Sequence, residues 1–440
     1  MSAPERDIVV YSSVINNRVF FTFNHVFKQY FGLNILLTNF IEDYQNTTLP
    51  RLNYSNIETD GFDVKPYGLL AEKGIKEQNI ECRKWENTLI FYETEEKGNL
   101  PFDIFSATFF LISRYEEYLA HKPDSHGRFK AESSVAFLNG FLHRPIVDEW
   151  LQILARMLKQ RYPELNIRER KFSHQVTIDV DQAYKYKSKG IIRNAVSTVK
   201  ELVQLDFPSL LARLSFATRQ KVDPYDNYIF IIEESYKRNI KPYFFFLLGT
   251  FGKHDKNIPA SKSNMKRLIS DLALDHKVGI HPSYRSNKSL KKHYSEIKTL
   301  SDIIGKPVNM SRQHFLKMRM PVTYKNLLKF EITEDHTMGY SETYGFRAGT
   351  SVPFFFYDLS LEKSTTLTIV PFALMDSTFK YHLRTNPDDT FDKYKKIIDK
   401  VKATNGTLVT LWHNDNFEPN TKKGRIWRDT FVKVLNHCHN

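Results

Sequence analysis

Gln175-Val176-Thr177-Ile178-Asp179-Val180-Asp181 is an apolar, β-branched run that ends in two carboxylates on alternate positions. Side chains alternate along a strand, so Asp179 and Asp181 leave the same face. Two acids so close are not both comfortably ionised unless a cation or an arginine stands between them. The stretch therefore asks for a metal, a proton-transfer role, or both.

Working outward, the charged connector Arg161 to Lys171 is followed by an alternation of short apolar runs and amphipathic stretches. That rhythm predicts βα units and a parallel sheet or barrel. Strands are expected at 176–180, 243–248, 278–281, 308–312, 367–370 and 407–412. Helices are expected at 228–238, 264–274, 290–304, 322–329 and 391–403. The preceding region reads as a separate α/β domain over 1–165, with strands at 8–11, 19–22 and 88–92. Helices at 103–119 and 147–158 flank a polar loop, Pro123-Asp124-Ser125-His126-Gly127-Arg128.

The composition, with 34 Phe, 23 Tyr and only 17 Gly in 440 residues, is that of an ordered globular chain rather than a disordered one. Cys82 and Cys438 stand far apart, which excludes a disulfide framework and a C-x-x-C pair and leaves a reducing compartment as the expectation. No signal-like or membrane-spanning apolar stretch follows the N-terminus, so a soluble cytoplasmic protein without a membrane span is expected. The net charge of +13 admits an acidic partner, nucleic acid or anionic glycan. The basic residues are nevertheless spread out, as in Lys185-Tyr186-Lys187-Ser188-Lys189, and no zinc-finger or RNA-binding motif accompanies them. A solvated basic surface without nucleic-acid binding is the reading taken.

Parallel α/β folds collect their chemistry at the C-terminal ends of strands. Asp179 and Asp181, His281, Arg312-Gln313-His314 and Trp412-His413-Asn414-Asp415 all fall there. Singly each is weak, because a strand-end aspartate often caps the next helix and a lone histidine is more often a surface residue. Together, four clusters of Asp, His and Arg suggest a hydrolytic site around one zinc-like divalent ion.

On these motifs, residues 173–440 resemble a divergent polysaccharide deacetylase domain of the NodB-homology, carbohydrate esterase family 4 type. The resemblance implies a distorted (β/α) barrel holding one divalent metal ion, with Zn2+ the expected species. It implies Asp179 as general base and Asp181 as metal ligand in Thr177-Ile178-Asp179-Val180-Asp181. His281 matches the first metal histidine, but Arg285 stands where the second belongs, and His314 is the nearest substitute. Arg312 takes the place of the arginine that orients the base, with an ordinary structural salt bridge as its other reading. His413, in Leu411-Trp412-His413, corresponds to the general acid, with Trp412 lining the acetyl pocket. Asp335 resembles a fourth motif and is expected to orient His413 or Arg312. Arg347, between Gly345 and Gly349, either binds substrate or clamps Asp335, and Tyr284 is placed at the mouth.

The segments Ser113 to Leu119 and His126 to Phe129 resemble an uncharacterised domain that precedes such deacetylase domains in bacterial proteins. They either form a surface pair network or complete the mouth from across the domain interface. The expected activity is removal of N- or O-acetyl groups from a carbohydrate, an acetylated glycan or its precursor. Two rivals stand: a catalytically inactive glycan-binding relative, and a metal-dependent hydrolase of a non-sugar amide.

Overall fold

The computed structural model describes residues 6–95, 98–187, 222–385 and 387–439; Ser188 and Lys189 of the basic stretch lie outside these. The N-terminal part holds a parallel sheet of β1 (Ile8–Ser12), β2 (Ile35–Thr38), β3 (Arg51–Tyr54) and β4 (Phe62–Asp63), in the order β2-β1-β3-β4. A small antiparallel pair, β5 (Arg83–Trp85) and β6 (Thr88–Ile90), follows.

The expected strand at 19–22 is instead helix α1 (Asn17–Phe23). Asn16 Oδ1 accepts a hydrogen bond from Val19 N at 3.0 Å, capping the helix, and the coil runs on to Phe31 before left-handed Gly32 stops it. A short Val-Phe-Phe-Thr run cannot be told from a strand by composition; the cap and the further apolar turns decide it. The expected helix at 103–119 also divides. Asp103 caps α2 (Ile104–Ile112), and Arg114, at φ +56°, turns the chain into a single tight turn at Tyr115–Tyr118. Helix α3 is Ile146–Arg161.

The larger sheet contains β7 (Ser173–Val180), β8 (Tyr243–Leu247), β9 (Val278–His281), β10 (Met310–Ser311), β11 (Glu334–Asp335), β12 (Phe354–Asp358), β13 (Lys363–Ile369), β14 (Leu374–Met375) and β15 (Thr407–His413). Its order is β12-β13-β11-β10-β9-β8-β7-β15-β14, and all pairings but β12·β13 are parallel. Helices α4 (Tyr228–Tyr236), α5 (Ser263–Asp275), α6 (Leu290–Ile304), α7 (Val322–Lys329), α8 (Pro387–Ala403) and α9 (Lys422–His439) lie among these strands in chain order.

One extended stretch closes the sheet on itself. Its first half, β13, pairs with β11; its second half, β14, pairs with β15 at the opposite end. Between them Val370 N and Phe372 N donate to Asp335 O and Met338 O at 2.8 and 3.0 Å. Because the same chain serves both ends, the sheet becomes a distorted barrel with no free edge along that line.

Strand alternation sorts the barrel's faces. On β15, Val409 and Leu411 pack inward with Leu316, Val370, Phe372 and Met375. Trp412 belongs to the other face, its ring 5.5 Å from Tyr394 of α8 and 5.1 Å from Phe431 of α9. One apolar cluster continues from the N-terminal sheet through the barrel's outer face. No helix among the described residues is long and apolar enough to cross a membrane.

Candidate metal and acid–base site

Register brings the site together. Pairing of β15 with β7 sets His413 beside Asp179, and pairing of β10 with β9 sets Ser311 beside Ile280, so the residues ending these strands meet at one mouth. Asp179, on the inward face of β7 with Thr177, accepts from Arg312 Nη1 at 2.8 Å. Arg312 is fully buried and also donates to Thr177 Oγ1 at 2.8 Å and His336 O at 3.0 Å. Its guanidinium lies 4.5 Å from the Phe245 ring centroid. That ring needs Gly279 behind it: a Cβ there would sit 2.7 Å from the Phe245 ring.

Asp181 is the hub. His281 Nε2 is 3.2 Å from its Oδ1 and His314 Nε2 is 3.4 Å from its Oδ2. Both rings are fixed from behind, His281 by Arg312 O at 2.5 Å from Nδ1 and His314 by Asp255 Oδ1 at 2.9 Å from Nδ1. Each histidine thus turns Nε2 toward the hub, the orientation that metal-ligating histidines take from their outer partners. One donor atom from each of Asp181, His281 and His314 lies within 4.8 Å of the others. Tetrahedral zinc, with bonds of about 2.0–2.1 Å, needs its donors about 3.3 Å apart. Among the described residues Asp181 Oδ1 is buried without a well-aligned hydrogen-bond donor, so a cation beside it would complete its solvation. The donor set therefore fits a zinc-like divalent ion.

Burial alone would raise the Asp181 carboxyl, but His314 and His281 overcome it and hold it well below the usual carboxylate range. Burial likewise opposes charge on His314, yet Asp181 and Asp255 lift that ring to about 9. A cation entering the site would displace this proton.

His413 stands across Asp181, with Nε2 3.9 Å from Oδ2. Asp376 Oδ1 holds Nδ1 at 2.6 Å and Asp376 Oδ2 accepts from His413 N at 2.9 Å and Asn416 Nδ2 at 2.7 Å. Burial disfavours the imidazolium, but Asp376, then Asp181 and Asp179, raise it to about 10. If His413 gives up a proton in turnover, activity falls as pH rises through its pKa. Asp376→Asn removes the main raising charge, so the alkaline limb should move down by about 1–3 pH units. A pH–rate profile of the variant with an unmoved alkaline limb would break this link.

The structure also corrects several expectations. Trp412, buried on the outer face, cannot line an acetyl pocket; Leu411 is the inward neighbour of His413. Arg347 meets neither Asp335 nor an open cavity: it forms two hydrogen bonds to Glu117, at 2.8 and 2.7 Å. Asp335 orients neither His413 nor Arg312 directly. It accepts from Ser311 Oγ, Thr337 N and Thr337 Oγ1, fixing the strand ends that carry Arg312 and His336. Tyr284 flanks the site, its ring 4.3 Å from His254 and its hydroxyl 3.1 Å from His126 Nδ1.

Sequence reasoning missed Asp255, which lies in an irregular segment, and Asp376, which directly follows the two-residue strand β14. It left open the loop that reaches in from the N-terminal part. Arg128, held by Asp124 at 2.7 Å, donates to Phe315 O at 2.7 Å and lines the same cavity of about 190 Å3 as Asp179, His281 and His413. Phe315 and Leu316 both have positive φ, at +61° and +49°. Such residues cost about 1–3 kcal/mol each unless their surroundings impose them. The Arg128 bond is one such constraint on the turn that carries His314.

Residues 8–163 match a family model described only as a family of unknown function. No curated protein matches the chain. Among solved structures, the chain is similar to a Mycobacterium smegmatis protein provisionally named a polysaccharide deacetylase (14% identity, 61% of this chain and 85% of that one, TM-score 0.37). It is similar also to a Bacillus anthracis protein described as a CE4 family pseudoenzyme (11% identity, 60% and 61%, TM-score 0.28). A third is Agd3, described as a novel carbohydrate deacetylase (8% identity, 98% and 84%, TM-score 0.37). At such low identities and scores these likenesses say nothing about the chemistry of this chain.

Proposed function

We propose that the protein is a metal-dependent hydrolase that removes N- or O-acetyl groups from a carbohydrate. The observation that carries this reading is the arrangement around Asp181. Two histidines face it through Nε2, and an arginine-held carboxylate, Asp179, and a carboxylate-held histidine, His413, end the paired strands beside it.

Asp181, His281 and His314 would hold one divalent ion, with zinc the best match to the nitrogen and oxygen donors. When bound, that ion supplies Lewis acidity toward a carbonyl oxygen and acidifies water. Asp179, aimed by its bond from Arg312 Nη1, accepts the proton of the attacking water. His413 carries a proton at Nε2 and delivers it to the departing nitrogen or oxygen. Asp376 keeps that ring charged and in place, and the pairing of β15 with β7 sets the acid beside the base. Phe315, Leu316 and Met375 supply the apolar wall of the cavity beside the acetyl group.

The test is elemental analysis joined to acetate release from acetylated oligosaccharides, run against a panel of non-sugar amides. About one zinc-like ion per chain is expected, lost in Asp181→Ala and His314→Ala. Acetate should come from the oligosaccharides and not from the amides. No ion after reconstitution would leave an inactive glycan-binding protein; turnover of the amides alone would leave a different hydrolase.

A further inference from the structure

Beside the cavity just described lies a larger one of about 570 Å3, walled by both halves of the chain: His126 from the N-terminal loop, and Tyr284, Lys288, Lys317 and Arg319 from the barrel. No aspartate or glutamate among the described residues lines it. Among the described residues none of Lys288, Lys317 and Arg319 has a carboxylate at ion-pair distance. Lys317 Nζ sits 4.1 Å from the Tyr284 ring centroid, which keeps its charge over the opening.

Two buried groups on this wall have no hydrogen-bond partner among the described residues. Gln313, only 1% exposed, has an unsatisfied Nε2, and His293, 4% exposed, has an unsatisfied Nε2. An amide NH2 can only donate, so Gln313 asks for an acceptor, and His293 asks for the same in the tautomer that carries its proton on Nε2. Leaving such a group unpaired costs about 1–3 kcal/mol. Three unpaired cations and two orphan nitrogens, with no acid among them, match an anionic oxygen ligand. The cavity is not separate from the site. Gln313 lies between Arg312 and His314 and lines both cavities.

We propose that this cavity is an anion subsite of the same cleft, taking a carboxylate or phosphate borne by the carbohydrate next to its acetylated residue. The proposal rests on the deacetylase reading for its position along the glycan. It makes the substrate an acidic polysaccharide or oligosaccharide rather than a neutral one.

Calorimetry on the full chain carrying Asp179→Asn tests it without consuming ligand. The ligands are a hexasaccharide alternating N-acetylglucosamine with glucuronate, and the neutral N-acetylglucosamine hexamer. The acidic chain should bind at least about tenfold more tightly, and Lys317→Ala and Arg319→Ala should each erase most of that difference. Unchanged thermal unfolding and unchanged affinity for the neutral hexamer show that the variants fold. Should either alanine variant fail to fold, Lys317→Gln or Arg319→Gln replaces it with the same expectation. Inorganic phosphate should compete with the acidic hexasaccharide. Equal affinity for the two hexamers, or an acidic preference that both variants keep, would overturn the proposal. So would phosphate binding with no preference for the acidic chain, since the anion would then be free phosphate. Because binding is read without turnover, failure of acetate release would count against the hydrolase and not against this subsite.

Discussion

Asp179→Asn should lower turnover by about 10²–10⁴-fold while the protein keeps its metal. The asparagine is chosen because Arg312 is fully buried and donates to Asp179 at 2.8 Å. Alanine would strand that guanidinium, and breaking a buried pair costs about 3–5 kcal/mol, so lost activity could then reflect lost folding. Asn Oδ1 can still accept from Arg312 Nη1, but the side chain no longer takes a proton. Asp179 touches the hub only at a distance, with Oδ2 3.7 Å from His281 Nε2, so metal stoichiometry should not change. Elemental analysis and acetate release on one preparation give both readings. Activity within a few-fold of the parent would remove Asp179 from the role of base.

The second large effect is on stability. Glu117→Ala should destabilise the protein by about 3–5 kcal/mol, read as a shift in the urea unfolding midpoint. Glu117 pairs with Arg347 at 2.7 Å and Arg114 at 2.8 Å, and all three side chains are almost wholly buried. Arg114 keeps Glu116 at 2.8 Å, but Arg347 would lose both its carboxylate bonds. The bridge joins the turn after α2 to the loop before β12, so its loss loosens the N-terminal part against the barrel. Burial pushes the Glu117 carboxyl up, yet Arg347 and Arg114 together hold it at about 2. A depressed carboxylate stabilises above its unfolded pKa, and that contribution fades as pH falls from about 4 toward 2. The parent should therefore lose more stability over that range than the variant. Equal acid sensitivity of the two would show that the pair contributes little.

How much was legible in the sequence can be argued from single residues. Asp179 and Asp181 were readable because a β-branched run fixes its own alternation, and the phase of a strand decides which side chains share a face. The same rule, applied to Leu411-Trp412-His413, sets Trp412 outside; the resemblance to the family's last motif names a neighbour of the histidine without regard to that phase. Residues 19–22 misled because four β-branched and aromatic residues carry no period of their own, and the deciding signal was the Asn16 cap just before them.

Asp255, Asp376 and the Arg128 contact were beyond the sequence for another reason. Asp376 reaches His413 from 37 positions away, Asp255 reaches His314 from 59, and Arg128 reaches Phe315 from 187. Nothing local distinguishes an aspartate that will hold a distant histidine from one that will not. The sequence by itself determined the βα rhythm, the paired acids and the strand-end position of His281, Arg312, His314 and His413, because each follows from a local period or a local motif. Only the tertiary structure decided that the stretch from β13 to β14 closes the barrel, that Arg347 serves Glu117, and which carboxylate holds which histidine. Those depend on contacts between distant segments, whose geometry is set when the sheet curls and the two halves pack.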